Sequence, residues 1–125
     1  MKILLVEDNL MNQKVVMFNL KKLNCEITPV TNGKDALENF KNNNYQIVLM
    51  DIMLPEMNGY EITKEIRKFE KLNEVENPVA IIALTANTYE NDKEKCLSIG
   101  MNDYLSKPFS AQQLLKAIEK YTPAE

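Results

Sequence analysis

The stretch IVLMDIMLPEMNG, residues 47–59, decides the fold. Its first four residues are apolar, a pattern typical of a strand buried on both faces in a parallel sheet covered by helices. Asp51 follows directly, and then comes a loop with Pro55 and Gly59. Because ligands of open parallel sheets bind beyond the carboxyl ends of the strands, Asp51 is either a functional residue or an ordinary loop aspartate. The ends of the other strands decide between the two.

The rest of the chain alternates between strand-like and helix-like patterns. Short apolar runs predict four further strands, at residues 2–6, 26–30, 79–84 and 103–106. Helical patterns separate or follow them, at residues 10–23, around 36–40, from about 58 to 69, at 90–99 and from 110 to about 121. Such alternation is typical of a parallel sheet with right-handed crossovers and helices on both faces. We therefore predict one doubly wound α/β domain, of the (βα)5 type, over residues 1–125.

Short-range signals mark the ends of several elements. Asn58 and Glu61 have the spacing of a capping box at a helix start, and Ser110 and Gln113 repeat that spacing before the last helix. Residues 70–78 are rich in charge and end in a proline, so we predict a loop there.

Composition and charge exclude several classes of protein. The chain has 125 residues, of which 45% are hydrophobic and 26% charged, as in ordinary globular domains. Its net charge is −3 and its lysines are scattered, which argues against a nucleic-acid surface. No apolar run approaches the length that spans a membrane, so we expect no membrane contact. Cys25 and Cys96 lie far apart without metal-binding spacing, which favours two reduced thiols in a cytoplasmic protein.

The residue types present limit the chemistry further. Histidine is absent, which excludes Ser-His-Asp and Cys-His catalysis and most zinc sites. The three glycines form neither a phosphate-binding P-loop nor a dinucleotide fingerprint. Any chemistry must therefore use carboxylates, hydroxyls and lysine.

Polar side chains follow four of the five predicted strands. Glu7 and Asp8 end the first, Asp51 the third, Thr85 the fourth and Lys107 the fifth. Parallel strands bring these ends to one edge of the sheet. Any one of them could be a helix cap or a surface charge, but polar residues at four strand ends together indicate a site. We therefore interpret Asp51 as a functional residue of that site.

The grouped side chains suggest metal-assisted phosphoryl chemistry. Two carboxylates about 4 Å apart repel by roughly 4 kcal/mol at an effective dielectric constant of about 20, so three acids together require a cation. Oxygen ligands with open positions favour Mg²⁺ or Mn²⁺. Such a metal, the Thr85 hydroxyl and the Lys107 ammonium would surround a phosphoryl group attached to Asp51. Asp51 would be the nucleophile, already ionised at neutral pH.

We also predict a cis peptide bond between Lys107 and Pro108. Only about 5–6% of X-Pro bonds in folded proteins are cis, so the prediction needs a specific reason. Lys107 must direct its ammonium back toward Asp51 while the chain turns directly into the last helix.

Four segments resemble, in order, the motifs of response-regulator receiver domains of two-component signalling. They are LLVEDN at 4–9, VLMDIMLPEMNGYE at 48–61, IIALTAN at 81–87 and DYLSKPF at 103–109. The resemblance covers nearly the whole chain and implies a flavodoxin-like sheet with the strand order 2-1-3-4-5. The residues of these motifs are most similar to those of receivers carried by hybrid sensor histidine kinases.

The resemblance implies a role for each acidic residue. Asp51 would accept a phosphoryl group from a phosphohistidine, carried by a histidine kinase or a histidine phosphotransfer domain. Asp8, Asp51 and the backbone carbonyl of Met53 would bind Mg²⁺, with Glu7 assisting. The domain would promote its own phosphorylation and dephosphorylation and would not turn over external substrates.

The resemblance also implies a switch. Thr85 and Lys107 would hold the phosphoryl oxygens, and Thr85 would move toward them while Tyr104 turns inward. This movement would reshape the surface of the fourth helix, fifth strand and fifth helix, although the pattern alone equally fits Tyr104 as an ordinary half-buried strand residue. Met53 and Asn87 lie at positions that vary in the family and flank the path of a hydrolytic water, so the lifetime of the phosphoryl group stays open.

The first predicted helix is too apolar for a single buried face. One stripe is sufficient to cover the sheet and consists of Val16, Leu20 and Leu23. A second stripe, offset by more than a quarter turn, consists of Met11, Val15 and Phe18. Either the helix buries a broad face, or the second stripe stays exposed beside Asp8 as an apolar docking patch. The resemblance would assign such a patch to a histidine phosphotransfer or kinase domain.

Three other functions fit parts of the pattern. A flavin-binding electron carrier has the same fold, but Glu7 and Asp8 occupy the place of its phosphate loop and would repel a phosphate. An Mg²⁺-dependent phosphatase that forms an aspartyl phosphate usually has a second acid two residues after its nucleophile, where this chain has Met53. A receiver-like module that only binds partners would not need the complete site.

Overall fold

The computed structural model describes residues 1–86 and 90–122, except for the side chains of residues 90–92. Five parallel strands form a central sheet in the order β2-β1-β3-β4-β5. The strands are β1 Lys2–Val6, β2 Glu26–Val30, β3 Ile47–Asp51, β4 Ala80–Thr85 and β5 Asp103–Ser106. This sheet confirms the predicted α/β fold and its strand order.

The described part of the chain also contains five α-helices. They are α1 Leu10–Asn19, α2 Gly33–Asn42, α3 Gly59–Leu72, α4 Glu90–Ile99 and α5 Ala111–Tyr121. The predicted helix 10–23 is wrong at its end, because α1 stops at Asn19 and a 3-10 turn, Lys21–Leu23, follows. The predicted loop 70–78 is wrong at its start, since α3 continues to Leu72. Within residues 1–86 and 90–122, no helix is both long enough and apolar enough to cross a membrane.

Helices cover both faces of the sheet and bury two apolar cores. On one face α1 and α5 contribute Val16, Leu20, Leu114, Ala117 and Ile118. On the other face α2, α3 and α4 contribute Ala36, Phe40, Ile62, Ile66 and Cys96. Burial on both sides explains why β3 and β4 are continuous apolar runs in the sequence.

Capping boxes begin α3 and α5 where the sequence predicts them. The Asn58 side chain accepts a hydrogen bond from the N–H of Glu61, whose carboxylate accepts one from the N–H of Asn58. Ser110 and Gln113 form the same reciprocal pair. Each box satisfies two N–H groups that a helix start leaves without an intrahelical partner. The two boxes fix the start of the helix after the Asp51 loop and of the helix after Lys107.

Candidate functional site

Three acidic residues meet at the carboxyl edge of the sheet, where β1 and β3 end. Glu7 and Asp51 are buried, with 2% and 4% of their surface exposed, whereas Asp8 is exposed. One carboxylate oxygen from each of the three lies within 4.8 Å of the other two. The topology brings them together because β1 and β3 are parallel neighbours in register, with Val6 opposite Met50.

Lys107 supplies the positive charge of this acidic group. Its Nζ lies 3.2 Å from Oε2 of Glu7 and 3.5 Å from Oδ2 of Asp51. The backbone N–H of Lys107 donates to the carbonyl oxygen of Thr85, at 2.6 Å, which ties this residue to the end of β4. The Lys107–Pro108 peptide bond is cis, the isomer that the sequence predicts.

The loop after Asp51 folds back tightly against the end of β3. The N–H of Met53 donates to Oδ1 of Asp51 at 3.1 Å, and the N–H of Gly59 donates to the carbonyl oxygen of Ile52 at 3.0 Å. A Cβ on Gly59 would lie 2.6 Å from the carbonyl oxygen of Asp51. Only glycine therefore permits this close approach, which keeps the loop after Asp51 in place.

The surroundings of Asp51 raise its pKa to about 6. Burial is the largest cause, and the negative charge of Glu7 adds to it. The Lys107 ammonium and the N–H of Met53 favour the carboxylate and oppose the rise in pKa. At pH 7 Asp51 is therefore still mainly ionised, the charge state that the sequence predicts.

Three residues around the start of α1 hold Glu7 through contacts that the sequence alone does not predict. The N–H of Asn9 and Nδ2 of Asn12 donate to Oε1 of Glu7, at 3.2 and 3.3 Å. Nε2 of Gln13, a buried side chain, donates to the backbone oxygens of Glu7 and Val30, at 2.8 and 3.1 Å. The signal for the two side-chain contacts is the pair of amide residues Asn12-Gln13 in the first turn after the acidic pair.

The other predicted site residues lie beside this group. Thr85 is buried at the end of β4, next to Leu84, which pairs with Asp51 across the sheet. Tyr104 is half-buried on β5, and Nζ of Lys93 lies 5.8 Å from its ring centroid. Asn87, which was predicted to flank the path of a hydrolytic water, lies outside the described residues.

An exposed apolar patch runs along α1 from the site. Its members are Met11, Val15 and Phe18, which are 68%, 53% and 72% exposed. Val16 and Leu20, by contrast, are buried against the sheet. The alternative of one broad buried face on α1 is therefore wrong, and the predicted exposure of the α1 patch is confirmed.

The donor set suits a small hard cation. The three clustered ligands are carboxylate oxygens, and their spacing allows one ion to contact all three. Mg²⁺ and Mn²⁺ prefer oxygen ligands and keep some positions for water or phosphate. Two buried acids that share one lysine also leave excess negative charge, which such a cation would neutralise.

Comparison with known proteins agrees with this geometry. The family model of the response regulator receiver domain matches residues 3–119. A relative, hybrid signal transduction histidine kinase B of Dictyostelium discoideum, is 46% identical over 121 residues. That alignment covers 91% of this chain and only 6% of the kinase, so the chain spans a small part of this much longer relative.

Two solved structures share the fold closely. The receiver domain of Ssk1 from Saccharomyces cerevisiae, in complex with the histidine phosphotransfer signaling protein Ypd1, has a TM-score of 0.92 and 37% identity, with 97% of this chain and 88% of that chain covered. The receiver domain of sensor histidine kinase PA1611 from Pseudomonas aeruginosa has a TM-score of 0.81 and 43% identity, with 96% and 95% covered. In the PA1611 domain a magnesium ion is coordinated in the active-site cleft.

Proposed function

The chain belongs to the response regulator receiver domain family, and we propose that Asp51 accepts a phosphoryl group from a phosphohistidine in a reaction that requires Mg²⁺ or Mn²⁺. The observation that carries this proposal is the position of the Asp51 carboxylate. It is buried at the carboxyl edge of the sheet, within an acidic group that fits a divalent cation and 3.5 Å from the Lys107 ammonium.

The transfer step moves one phosphoryl group between two side chains. An oxygen of the Asp51 carboxylate forms a bond to phosphorus while the bond between phosphorus and the donor's imidazole nitrogen breaks. The electron pair of that bond returns to the imidazole. Phosphoryl transfer depends mainly on positioning and on neutralising charge, which Lys107 supplies beside the nucleophile. Because the chain has no histidine, the donor belongs to another domain.

Asp8, Asp51 and the backbone carbonyl of Met53 would hold the cation, with Glu7 assisting. A bound Mg²⁺ supplies positive charge to the transferring phosphoryl oxygens. The Met53 backbone is already fixed beside Asp51 by the hydrogen bond from its N–H. The magnesium ion in the cleft of the related PA1611 domain supports this assignment.

Thr85 and Tyr104 would pass the state of Asp51 to the surface. Thr85 is buried at the end of β4, one residue beyond Leu84, which pairs with Asp51 across the sheet. Tyr104 lies on the neighbouring strand, half-buried and opposite Ala83. In this role the Thr85 hydroxyl binds a phosphoryl oxygen, and the Tyr104 ring turns toward the space that Thr85 leaves.

The α1 patch of Met11, Val15 and Phe18 would receive the donor, a histidine phosphotransfer or kinase domain. Its three side chains are exposed on one helix that begins directly beside Asp8. Exposed apolar clusters of this kind mark protein interaction surfaces. The Ssk1 receiver domain, which shares this fold, binds the phosphotransfer protein Ypd1.

Mass measurement after incubation with acetyl phosphate and Mg²⁺ tests the proposed function without the natural partner. We expect one phosphoryl group to be added per chain. We expect no labelling when the metal is chelated before the incubation, and none in Asp51→Asn. The matched control is Asp35→Asn, since Asp35 is an exposed aspartate at the start of α2 and should leave labelling unchanged. Equal labelling of Asp51→Asn would contradict the proposal, and steady turnover of simple phosphate esters would indicate a phosphatase instead.

A further inference from the structure

Hydrogen bonds to both of its oxygens fix the orientation of the Glu7 carboxylate. Oε1 accepts from the N–H of Asn9 at 3.2 Å and from Nδ2 of Asn12 at 3.3 Å. Oε2 faces Nζ of Lys107 at 3.2 Å. One oxygen of Glu7 therefore bonds to the first turn of α1, and the other is directed into the site.

Asn12 is itself fixed at both its backbone and its side chain. Its N–H donates to Oδ1 of Asn9, the residue that caps α1, at 3.0 Å. The bonds from Asn9 to Glu7, from Asn12 to Asn9 and from Asn12 to Glu7 form a closed ring. In a capping box the side chain at this helix position bonds the backbone of the cap, whereas the Asn12 side chain reaches past the cap to an acid of the site.

We propose that Asn12 is a positioning residue that sets the affinity of the site for Mg²⁺ by holding Glu7 in place. The proposal rests on the function proposed above only in naming Mg²⁺ as the metal. In this role Asn12 would act through Glu7 and would not itself bind the cation or the phosphoryl group.

The reason is the repulsion between Glu7 and Asp51. Both carboxylates are buried and negatively charged, and the Glu7 side chain has enough rotatable bonds to turn away from its neighbour. With Oε1 bonded to the first turn of α1, the carboxylate stays in the orientation that a cation needs. Residues that orient metal ligands in this way typically change metal affinity by about 10–100-fold when they are replaced.

Replacing Asn12 should leave folding intact, which makes the test direct. Asn12 is exposed within α1, and alanine is a better helix former than asparagine. A matched control is Asn39→Ala in α2, because the Asn39 side chain also donates one hydrogen bond, to the carbonyl oxygen of Asp35, far from the site.

The experiment is a calorimetric titration of the chain with Mg²⁺ alone. We expect Asn12→Ala to weaken Mg²⁺ binding by about tenfold and Asn39→Ala to change it by less than about twofold. A second pair of proteins, Glu7→Met with and without Asn12→Ala, tests whether Asn12 acts through Glu7. Glu7→Met removes the carboxylate that Asn12 holds. In that background, adding Asn12→Ala should change Mg²⁺ affinity by less than about twofold.

Unchanged or tighter Mg²⁺ binding by Asn12→Ala would overturn the inference, and so would an equal loss in the Glu7→Met background. Labelling of Asp51 by acetyl phosphate separates this inference from the proposed function. Normal labelling with unchanged Mg²⁺ affinity in Asn12→Ala refutes only the role of Asn12. Weakened Mg²⁺ binding in a chain that never labels at Asp51 supports the role of Asn12 and refutes the proposed function. A native chain that binds no Mg²⁺ refutes both.

Discussion

The amino and carboxyl edges of the sheet, where the parallel strands begin and end, each contain an ion pair between a buried acid and a partly exposed base. The charges are balanced at only one of them. At the amino edge, where β4 begins, Nη1 of Arg67 lies 2.7 Å from Oε1 of Glu70, and Oε2 of Glu70 accepts from the N–H of Val79 at 2.7 Å. At the carboxyl edge, the two buried acids Glu7 and Asp51 share the single ammonium of Lys107. The first arrangement is complete within the protein, and the second retains excess negative charge.

At the amino edge, Arg67 connects several elements of the fold, and we call its hydrogen-bonded contacts the Arg67 joint. Beyond Glu70, the Arg67 guanidinium donates to the carbonyl oxygens of Val79 and Gly100 at 2.8 and 2.9 Å, and to Oδ1 of Asn102 at 2.8 Å. These bonds connect α3 to the start of β4 and to the turn between α4 and β5. Unbalanced charge, more than burial, therefore distinguishes the candidate metal site at the carboxyl edge from the contacts that hold the fold together at the amino edge.

The largest expected effect is at the amino edge. Arg67→Met should lower the free energy of unfolding by about 3 kcal/mol or more, because Glu70 would stay buried without its cation. Urea denaturation measures the change, and Lys68→Met provides a matched control, since Lys68 is exposed on the same helix. A loss below about 1 kcal/mol in Arg67→Met would show that the Arg67 joint is not needed for stability.

At the carboxyl edge, removing a charge is expected to stabilise the chain and not to destabilise it. In metal-free buffer at pH 7, Asp51→Asn should raise the free energy of unfolding by about 1–2 kcal/mol, because it removes one of two buried like charges. The rise in the Asp51 pKa to about 6 corresponds to at most about 3 kcal/mol, and solvent at the open edge screens part of it. A destabilised Asp51→Asn chain would contradict this account of the site.

The pH dependence of that gain follows from the raised pKa. Between about pH 4 and pH 6 the folded chain holds the Asp51 proton more tightly than the unfolded chain does. The native chain therefore loses stability as the pH rises through this window, relative to Asp51→Asn. The two proteins should be equally stable below about pH 4 and differ fully above about pH 7. Parallel curves for the two proteins across the window would refute the assigned pKa.

The sequence predicted the carboxyl edge far better than the amino edge. Glu7, Asp51 and Lys107 each follow a predicted strand directly, and Asp8 comes one residue after Glu7, so parallel topology alone brings them together. The helix starts at Asn58 and Ser110 were also predictable, because a capping box needs only residues that are three apart.

The Arg67 joint had no such local signal. Its partners Gly100 and Asn102 lie 33 and 35 residues away, and no spacing rule connects them. Glu70 was even assigned to a charged loop, because a buried glutamate cannot be told from a solvated one without its partner. The early end of α1 at Asn19 was missed for a related reason: the apolar period continues through the 3-10 turn that follows.

Added Mg²⁺ should narrow the difference in stability between the native chain and Asp51→Asn. At about ten times its dissociation constant, Mg²⁺ should stabilise the native chain by about 1.4 kcal/mol, because it binds the folded state only. Asp51→Asn, which lacks one proposed ligand, should gain less than about 0.5 kcal/mol. Thermal unfolding measures both, with KCl at equal ionic strength as the control for screening. Equal gains in the two proteins would mean that Mg²⁺ acts outside the site.

The smallest change in stability is expected for Val15→Glu, a substitution that tests whether the two edges also differ as docking surfaces. Each has exposed apolar side chains: Val15 in the α1 patch, and Leu72 at the end of α3 toward the amino edge, 53% and 74% exposed. Val15→Glu should slow phosphoryl transfer from a phosphorylated histidine phosphotransfer domain by about fivefold, because it places a charge in the apolar patch beside Asp8.

The same change should leave the chain itself nearly unaltered. Since Val15 is exposed, Val15→Glu should change the free energy of unfolding by less than about 0.5 kcal/mol and labelling by acetyl phosphate by less than about twofold. Leu72→Glu is the matched control, because it makes a similar change at an exposed apolar residue far from Asp51 and should leave transfer unchanged. Equal slowing by Leu72→Glu would mean that charge alone hinders the donor. A sharp loss of stability in Val15→Glu would instead place the α1 patch in the core and remove it as the docking surface.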